Sequence, residues 1–251
     1  MSIKQFVQNE CDILEYECLA STNDTAKELG IDGAKENTIV IAKSQTNGRG
    51  RLTRSFFSPE DSGIYMSILL RPEINKENIY LITPAAAVAV ACAIDEICGK
   101  ETKIKWVNDI FISDKKVCGI LCESIFLNDS FFSVLGIGIN LYTPKNQFPE
   151  ELKNIAGAVF KEAPEKDIRE KLIAKIIDNF NSIYKRLENK NFVNCYREKS
   201  NLIGENISYQ KDGNTINAKV LDIDDNAHLI VKTENNETIT LYSGEVSVRK
   251  K

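Results

Sequence analysis

The sequence predicts an α+β protein, with a large domain of mixed strands and helices followed by a small β-barrel. Three observations carry this. Two long segments repeat apolar residues at helical spacing, "NKENIYLITPAAAVAVACAIDEICG" and "EKDIREKLIAKIIDNFNSIYKRLEN". Short β-branched and apolar runs lie before and between them. After Asn201 the pattern changes to short alternating strands, with turn signals at "KDGN", "DDNA" and "ENNE". The boundary therefore falls near Ser200, giving residues 1–200 and 201–251 as the two domains. A chain of 251 residues that is 43% hydrophobic can fill one large core and a smaller one.

Taken in order, "LASTNDTAKELG" (19–30) opens with small polar residues and runs into good helix formers, a turn and then a short helix. "TIVIAKSQ" (38–45) is a strand. "SGIYMSILLRP" (62–72) is another; its alternation is lost at "ILL", as expected when both faces are covered. The first long helix stops at Gly99. Its stretch "PAAAVAVACAI" is about half the length a bilayer span needs and reads as buried. Three strands in hairpin style follow: "TKIKWVNDIFI", "KKVCGILCESIF" and "FFSVLGIGINLY", joined at "SDKK" and "LNDS". The second long helix buries Ile168, Leu172, Ile173, Ile176, Ile177 and Phe180 on one stripe. "FVNCYREKS" is one more short helix.

Charge and composition narrow the chemistry. A net charge of −4 is unlike a general nucleic-acid binder. The seven cysteines are odd in number, scattered and without CxxC, which suggests reduced thiols in the cytoplasm rather than disulfides or a zinc site. His228 is the single histidine, so few histidine-based mechanisms are open. No GxxxxGK[ST] occurs, so a nucleotide site here is not a P-loop.

Four stretches could carry a function. Ser21, Thr22 and Asn23 stand at a helix start, where they either cap the helix or hold a polar head group. "GRGRLTR" (48–54) is either a solvated basic turn or an anion grip. In the second reading its glycines let the loop order on the anion and its guanidinium groups clamp carboxylate or phosphate. Lys105, Asn108, Asp109 and Lys116 group an ammonium, an amide and a carboxylate in a way that suits triphosphate and Mg2+ chemistry, although a strand lysine is more often merely exposed. "GIGIN" puts two glycines in an apolar strand, a mark of close approach by another chain segment or a ligand.

Together, and in this order, "STN", "SQTNGRGR", "KWVND", "KKVCGILCES", "GIGIN" and "SGEVSVR" resemble the biotin–protein ligases over about Leu19 to Arg249. Val107 stands where that family usually has proline, and Phe56 where it has tryptophan. The resemblance implies a biotin/lipoate ligase-type catalytic domain and an SH3-like C-terminal barrel. It implies an enzyme that uses ATP and biotin as substrates, with Mg2+, to make biotinoyl-5′-AMP and pyrophosphate. Biotin then passes to a lysine of a biotin carboxyl carrier protein or domain of a biotin-dependent carboxylase. It further implies that Ser21, Thr22, Asn23, Gln45, Lys116 and Gly119 hold biotin, while Arg49, Gly50 and Arg51 fold over carboxylate and adenylate. Arg54, Asn108, Asp109, Asn140 and Arg249 serve ATP, Asp109 beside the metal, and Lys105 stabilises charge at the reacting centre with Arg49 and Arg51.

Twenty residues precede Ser21. A helix-turn-helix repressor arm takes ~50 residues or more. The expectation is a ligase without DNA or membrane partners, with a homodimer permitted. A lipoate or octanoate ligase and a nucleic-acid-binding module are the alternatives. The relatives that use lipoate carry a different glycine-rich motif, and "LDIDDNAHLIVKTENNETIT" is acidic where a nucleic-acid module would be basic.

Overall fold

The computed structural model describes residues 3–8, 11–51, 54–127, 130–162, 167–211, 214–242 and 248–250. Its larger part is a mixed eight-stranded sheet. The strands are β1 (Ile3–Gln8), β2 (Cys11–Leu19), β3 (Thr38–Gln45), β4 (Gly63–Leu70), β5 (Thr102–Lys105), β6 (Asp109–Ile112), β7 (Lys115–Leu127) and β8 (Ser130–Asn140). They lie in the order β1-β2-β3-β4-β8-β7-β6-β5. Only β2 and β3 run parallel, joined across α1 (Thr22–Ile31); every other neighbouring pair is antiparallel.

The run "ILL" loses its alternation for the expected reason. On β3, Ile39 and Ile41 join one apolar cluster and Val40 and Ala42 the other. On β4, Ile64, Met66, Ile68 and Leu70 join the first cluster and Leu69 the second. Helix α1 closes the second face with Ala26. The first face is closed by α2 (Ile82–Cys98) and α3 (Ile168–Tyr184). All six residues of the α3 stripe are buried. Helix α2 is entered through a 3-10 turn at Lys76–Leu81 and stops at Gly99, whose φ of 62° favours glycine. Lys76–Cys98 is apolar and long enough to cross a membrane, but its most apolar window is 67% buried inside the fold.

After α4 (Phe192–Glu198) the chain enters a second, five-stranded antiparallel sheet. Its strands are β9 (Asn206–Lys211), β10 (Asn214–Ile223), β11 (Leu229–Thr233), β12 (Thr238–Leu241) and β13 (Val248–Lys250). They lie in the order β12-β11-β10-β9-β13, and form the expected SH3-like C-terminal domain. The connection is not free. Ile104 N donates to Lys199 O at 2.8 Å and Asn201 N to Ile104 O at 3.1 Å, so residues 199–201 extend the sheet beyond β5. Ile207, Tyr209, Val220, Leu229 and Val231 pack into the same continuous core as α2 and α3. The barrel has its own strands but shares its core, contrary to the separate core expected from composition.

Two other expectations are corrected. "TKIKWVNDIFI" is not one strand: β5 and β6 pair antiparallel, Lys105 opposite Asp109, around a turn at Trp106, Val107 and Asn108. Trp106 and Val107 are both buried, so these two neighbours do not alternate between a covered and an exposed face as strand residues would. Lys116 lies on β7 rather than in a turn. The N-terminal strands β1 and β2 were not expected at all.

Candidate functional site

The side of the sheet that carries α1 is filled along β8 by Phe132 and Val134, then by Gly136 and Gly138. Side chains stop where α1 begins, and the space left is a cavity of about 830 Å3. Both glycines are needed for close approach. A Cβ on Gly136 would overlap the amide oxygen of Asn23, and one on Gly138 would stand 2.7 Å from the Phe56 ring. The Phe56 ring therefore lies over the glycine strand and meets Tyr65 edge-on, with centroids 6.4 Å apart.

One end of the cavity is a buried hydrogen-bond cluster at the start of α1. Ser21, Thr22 and Asn23 are each at most 4% exposed. Ser21 is the helix N-cap residue by backbone but makes no side-chain cap bond, so capping alone does not account for it. Gln45 Oε1 accepts from Thr22 N at 2.8 Å and from Thr22 Oγ1 at 3.1 Å. Gln45 Nε2 donates to Ser58 Oγ at 2.8 Å, and Ser58 in turn donates to Phe56 O at 2.9 Å. Ser67 Oγ lies 2.6 Å from Asn23 Oδ1 and 2.8 Å from Thr22 Oγ1. Asn23 Nδ2 donates to Glu123 Oε2 at 2.8 Å, and Lys27 Nζ reaches Glu123 Oε1 at 2.6 Å. Burial alone would raise the Glu123 pKa, but the bonds from Lys27 and Asn23 outweigh it and hold the carboxyl below its usual value.

The other end is cationic. Arg49, Gly50, Arg51, Arg54, Lys105 and Lys116 all line the cavity. Arg49 Nε pairs with Asp24 Oδ2 at 3.0 Å. Arg51 Nη1 donates to Asn108 Oδ1 at 3.3 Å. Burial lowers the Arg51 pKa, with the Asp109 carboxylate opposing. Lys116 Nζ pairs with Asp109 Oδ1 at 2.7 Å, and Gly119 opens the strand beside the Lys116 ammonium. Asn108 Nδ2 donates to Ile120 O at 2.8 Å, and Asn140 Nδ2 to Gly157 O at 3.0 Å.

The arginine loop departs from expectation. Its described part is laced by backbone bonds: Phe56 N to Gly48 O at 2.8 Å, Gly50 N to Arg54 O at 2.7 Å and Gln45 N to Ser58 O at 3.0 Å. Neither Gly48 nor Gly50 has a positive φ. Gly48 is required instead by contact, since a Cβ there would overlap Phe56 O and stand 2.7 Å from Ser58 Oγ. Leu52 and Thr53 lie outside the described residues.

Every site residue expected from the sequence lines this one cavity, apart from Arg249. The Arg249 backbone pairs with Ser208 in the barrel sheet; its side chain lies outside the described residues, as do positions 243–247 of "SGEVSVR". Sequence reasoning missed Asp24, Ser58, Ser67 and Glu123, which hold the expected residues in place. It also missed Phe148, Leu152 and Ile155, which line the cavity from the loop after β8. Glu123 belongs to "KKVCGILCES", whereas the loop residues have no periodicity to betray them.

Residues 15–140 match the biotin/lipoate A/B protein ligase family, and residues 202–249 match the biotin protein ligase C terminal domain. The bifunctional ligase/repressor BirA of Bacillus subtilis is 39% identical over 241 residues, covering 94% of this chain and 74% of that protein. The biotin–[acetyl-CoA-carboxylase] ligase of Mycobacterium tuberculosis is 26% identical over 243 residues, covering 92% and 88%. The biotin protein ligase of Aquifex aeolicus, solved in complex with biotin and ATP, aligns with a TM-score of 0.76 at 27% identity, over 95% of this chain and 99% of that one. The matches take in both sheets and the whole wall of the cavity from Ser21 to Asn140, and so the chain belongs to the biotin/lipoate A/B protein ligase family, as one of its biotin protein ligases.

Proposed function

We propose that the chain carries out both half-reactions of a biotin–protein ligase in this cavity. A biotin carboxylate oxygen attacks the α-phosphorus of ATP, forming biotinoyl-5′-AMP and releasing pyrophosphate. The ε-amine of a lysine on a biotin carboxyl carrier protein or domain then attacks the acyl carbon. AMP leaves, and the amine proton passes to solvent. One observation carries the reading: a buried, neutral hydrogen-bonding end and a cationic end share a single cavity. That is what a polar ring and a carboxylate–triphosphate pair require.

In this assignment Ser21, Thr22, Asn23, Gln45, Lys116 and Gly119 face biotin. Arg49, Gly50 and Arg51 close over its carboxylate and the adenylate. Lys105 stands between carboxylate and α-phosphate, Arg54 meets the phosphates, and Asn140 and Arg249 serve the adenine end. No side chain acts as a nucleophile; the chain positions two anions and offsets their repulsion. Water exclusion by the arginine loop protects the mixed anhydride.

Among the described residues no group of three His, Cys, Asp or Glu side chains is placed to hold a metal ion. Asp109 offers one carboxylate, and one of its oxygens already faces Lys116. That donor set fits Mg2+ carried by a triphosphate: Asp109, with Asn108 beside it, would help hold the ion. The ion would neutralise phosphate charge. All seven cysteines are free thiols, which suits a reducing cytoplasm. Neither DNA nor a membrane enters this reading. Residues 1–200 form the catalytic domain and 201–251 the barrel, and a homodimer is compatible with both.

Biotin-dependent exchange between ATP and labelled pyrophosphate tests it. Lys105→Ala should lower exchange on the order of 10²–10³-fold with the fold intact. Near-normal exchange in that variant, or exchange that follows lipoate or octanoate instead of biotin, would overturn the assignment.

A further inference from the structure

We propose that the β10–β11 turn of the barrel is a positioning element for Lys105, acting through the Trp106 indole. This rests on the catalytic role proposed for Lys105. Lys105 closes β5 at the tip of the β5–β6 hairpin, and the next three residues are each held by a different part of the molecule. Trp106 Nε1 donates to Ala227 O at 3.0 Å. Val107 O accepts from the Tyr196 hydroxyl of α4 at 2.9 Å. Asn108 exchanges two bonds with Ile120 on β7, Nδ2 to Ile120 O at 2.8 Å and Ile120 N to Asn108 O at 3.0 Å. Trp106 is 5% exposed and Tyr196 fully buried, so neither donor has water to turn to.

The barrel's contribution is built by Asp224. Its Oδ1 accepts from Asn226 N and His228 N, both at 2.8 Å, and its Oδ2 lies 3.2 Å from His228 Nδ1. Ala227 N donates back to Asp224 O at 2.9 Å, with Ala227 at a φ of 59°. The turn presents the Ala227 carbonyl to the indole. It is seated against the larger domain by the His228 ring, stacked on Tyr80 with centroids 5.0 Å apart and met edge-on by Tyr242 at 4.6 Å. A neighbouring contact uses different groups: Arg197 Nε donates to Ile223 O at 2.7 Å and Nη2 to Asp225 Oδ1 at 2.8 Å. Arg197 also joins the barrel to α4, and its hydrogen bonds and ion pairs go to Ile223, Asn194, Asp222 and Asp225 rather than to residues 105–108.

That difference makes the test. Trp106→Phe keeps a ring but loses the N–H. Asp224→Ala unmakes the turn, whereas Asp224→Asn keeps the Oδ1 acceptor. Arg197→Ala loosens the same interface elsewhere. Trp106 is the single tryptophan of the chain, so its emission reports this contact directly. Trp106→Phe and Asp224→Ala should lower the kcat of biotin-dependent pyrophosphate exchange by about tenfold or more, since misplacement of ~1 Å can cost 10²-fold. Biotin Kd by calorimetry should stay within about twofold. Emission should shift to longer wavelength in Asp224→Ala but not in Asp224→Asn or Arg197→Ala, and those two should keep near-normal kcat. Equal losses in Arg197→Ala and Asp224→Ala would overturn the proposal in favour of general barrel attachment. Should Trp106→Phe fail to fold, the three Asp224 and Arg197 variants decide alone. Lys105→Ala, assayed alongside, separates the two ideas. If it is inactive while Trp106→Phe and Asp224→Ala exchange normally, the positioning role alone is wrong; if it is active, the Lys105 role fails and the positioning role with it.

Discussion

A single methyl group at Gly136 should disable biotin binding. Gly136 lies in β8 between β4 and β7, paired with Ser67 on one side and Leu121 on the other, so its backbone cannot retreat. An added Cβ would overlap the Asn23 amide oxygen and stand 2.9 Å from Asn23 Cγ. Asn23 is 4% exposed and held at both ends of its amide, by Ser67 at 2.6 Å and Glu123 at 2.8 Å. It can yield only by giving up both bonds. A neutral hydrogen bond contributes about 1 kcal/mol and one to a charged group about 2, so Gly136→Ala should cost about 3 kcal/mol. Read as binding, that is on the order of 10²-fold weaker biotin affinity. Read as stability, it is a melting temperature roughly 6–12 °C lower in a chain of this size. Isothermal titration with biotin, beside a thermal melt, measures both. An affinity within twofold of the parent would show that Asn23 is not held as described, or does not face biotin.

Gly48→Ser should prise the arginine loop from Phe56 O and Ser58. The adenylate should then escape and label bystander lysines, scored by mass spectrometry of an added unrelated protein; labelling equal to the parent enzyme's would count against the loop as a seal. Glu123 gives a pH prediction. Its folded pKa is depressed by Lys27 and Asn23 against the opposing effect of burial. Its contribution is therefore complete above the unfolded carboxyl value of about 4.3 and lost as pH falls through the lower folded value. The gap in urea midpoint between the parent and Glu123→Gln should be full at pH 6 and narrow as pH falls below about 4.3, and a gap that stays constant would refute the coupling.

What could be read from the sequence follows from what leaves a side-chain mark. The stripe from Ile168 to Phe180 is buried as its spacing required. Gly99 ended its helix because only a left-handed residue could. The glycines of "GIGIN" marked the floor of the cavity, for Gly136 and Gly138 meet Asn23 and Phe56. Other features left no mark. The turn at Trp106 and Val107 contains no glycine, and alternation continues through it, so "TKIKWVNDIFI" looked like one strand. Strand β2 carries acids at Asp12, Glu15 and Glu17, which hid its pairing with β3. The lacing of the arginine loop is done by backbone groups, invisible in residue identities. The loop that brings Phe148, Leu152 and Ile155 to the cavity has no period to detect.

The bonds that run from Thr22 through Gln45 and Ser58 to Phe56 O have a direction. Thr22 gives to Gln45, Gln45 gives to Ser58, and Ser58 gives to a carbonyl at the exit of the arginine loop. Gln45 Oε1 already accepts twice, from the Thr22 amide and hydroxyl, so it has no lone pair to spare. What Gln45 can still offer a guest is one N–H. The amide of Asn23 likewise keeps one N–H to offer, its oxygen facing Ser67 and its other hydrogen given to Glu123. These two amides together are therefore a receptor for lone pairs, suited to a guest that presents a carbonyl oxygen to them. Replacing Gln45 by glutamate, nearly identical in shape, would leave Thr22 as the donor but reverse the link to Ser58. Ser58 would have to turn its proton back toward position 45 and release Phe56 O, so the polarity of one amide at the ring-binding end sets whether the far end of the loop is anchored.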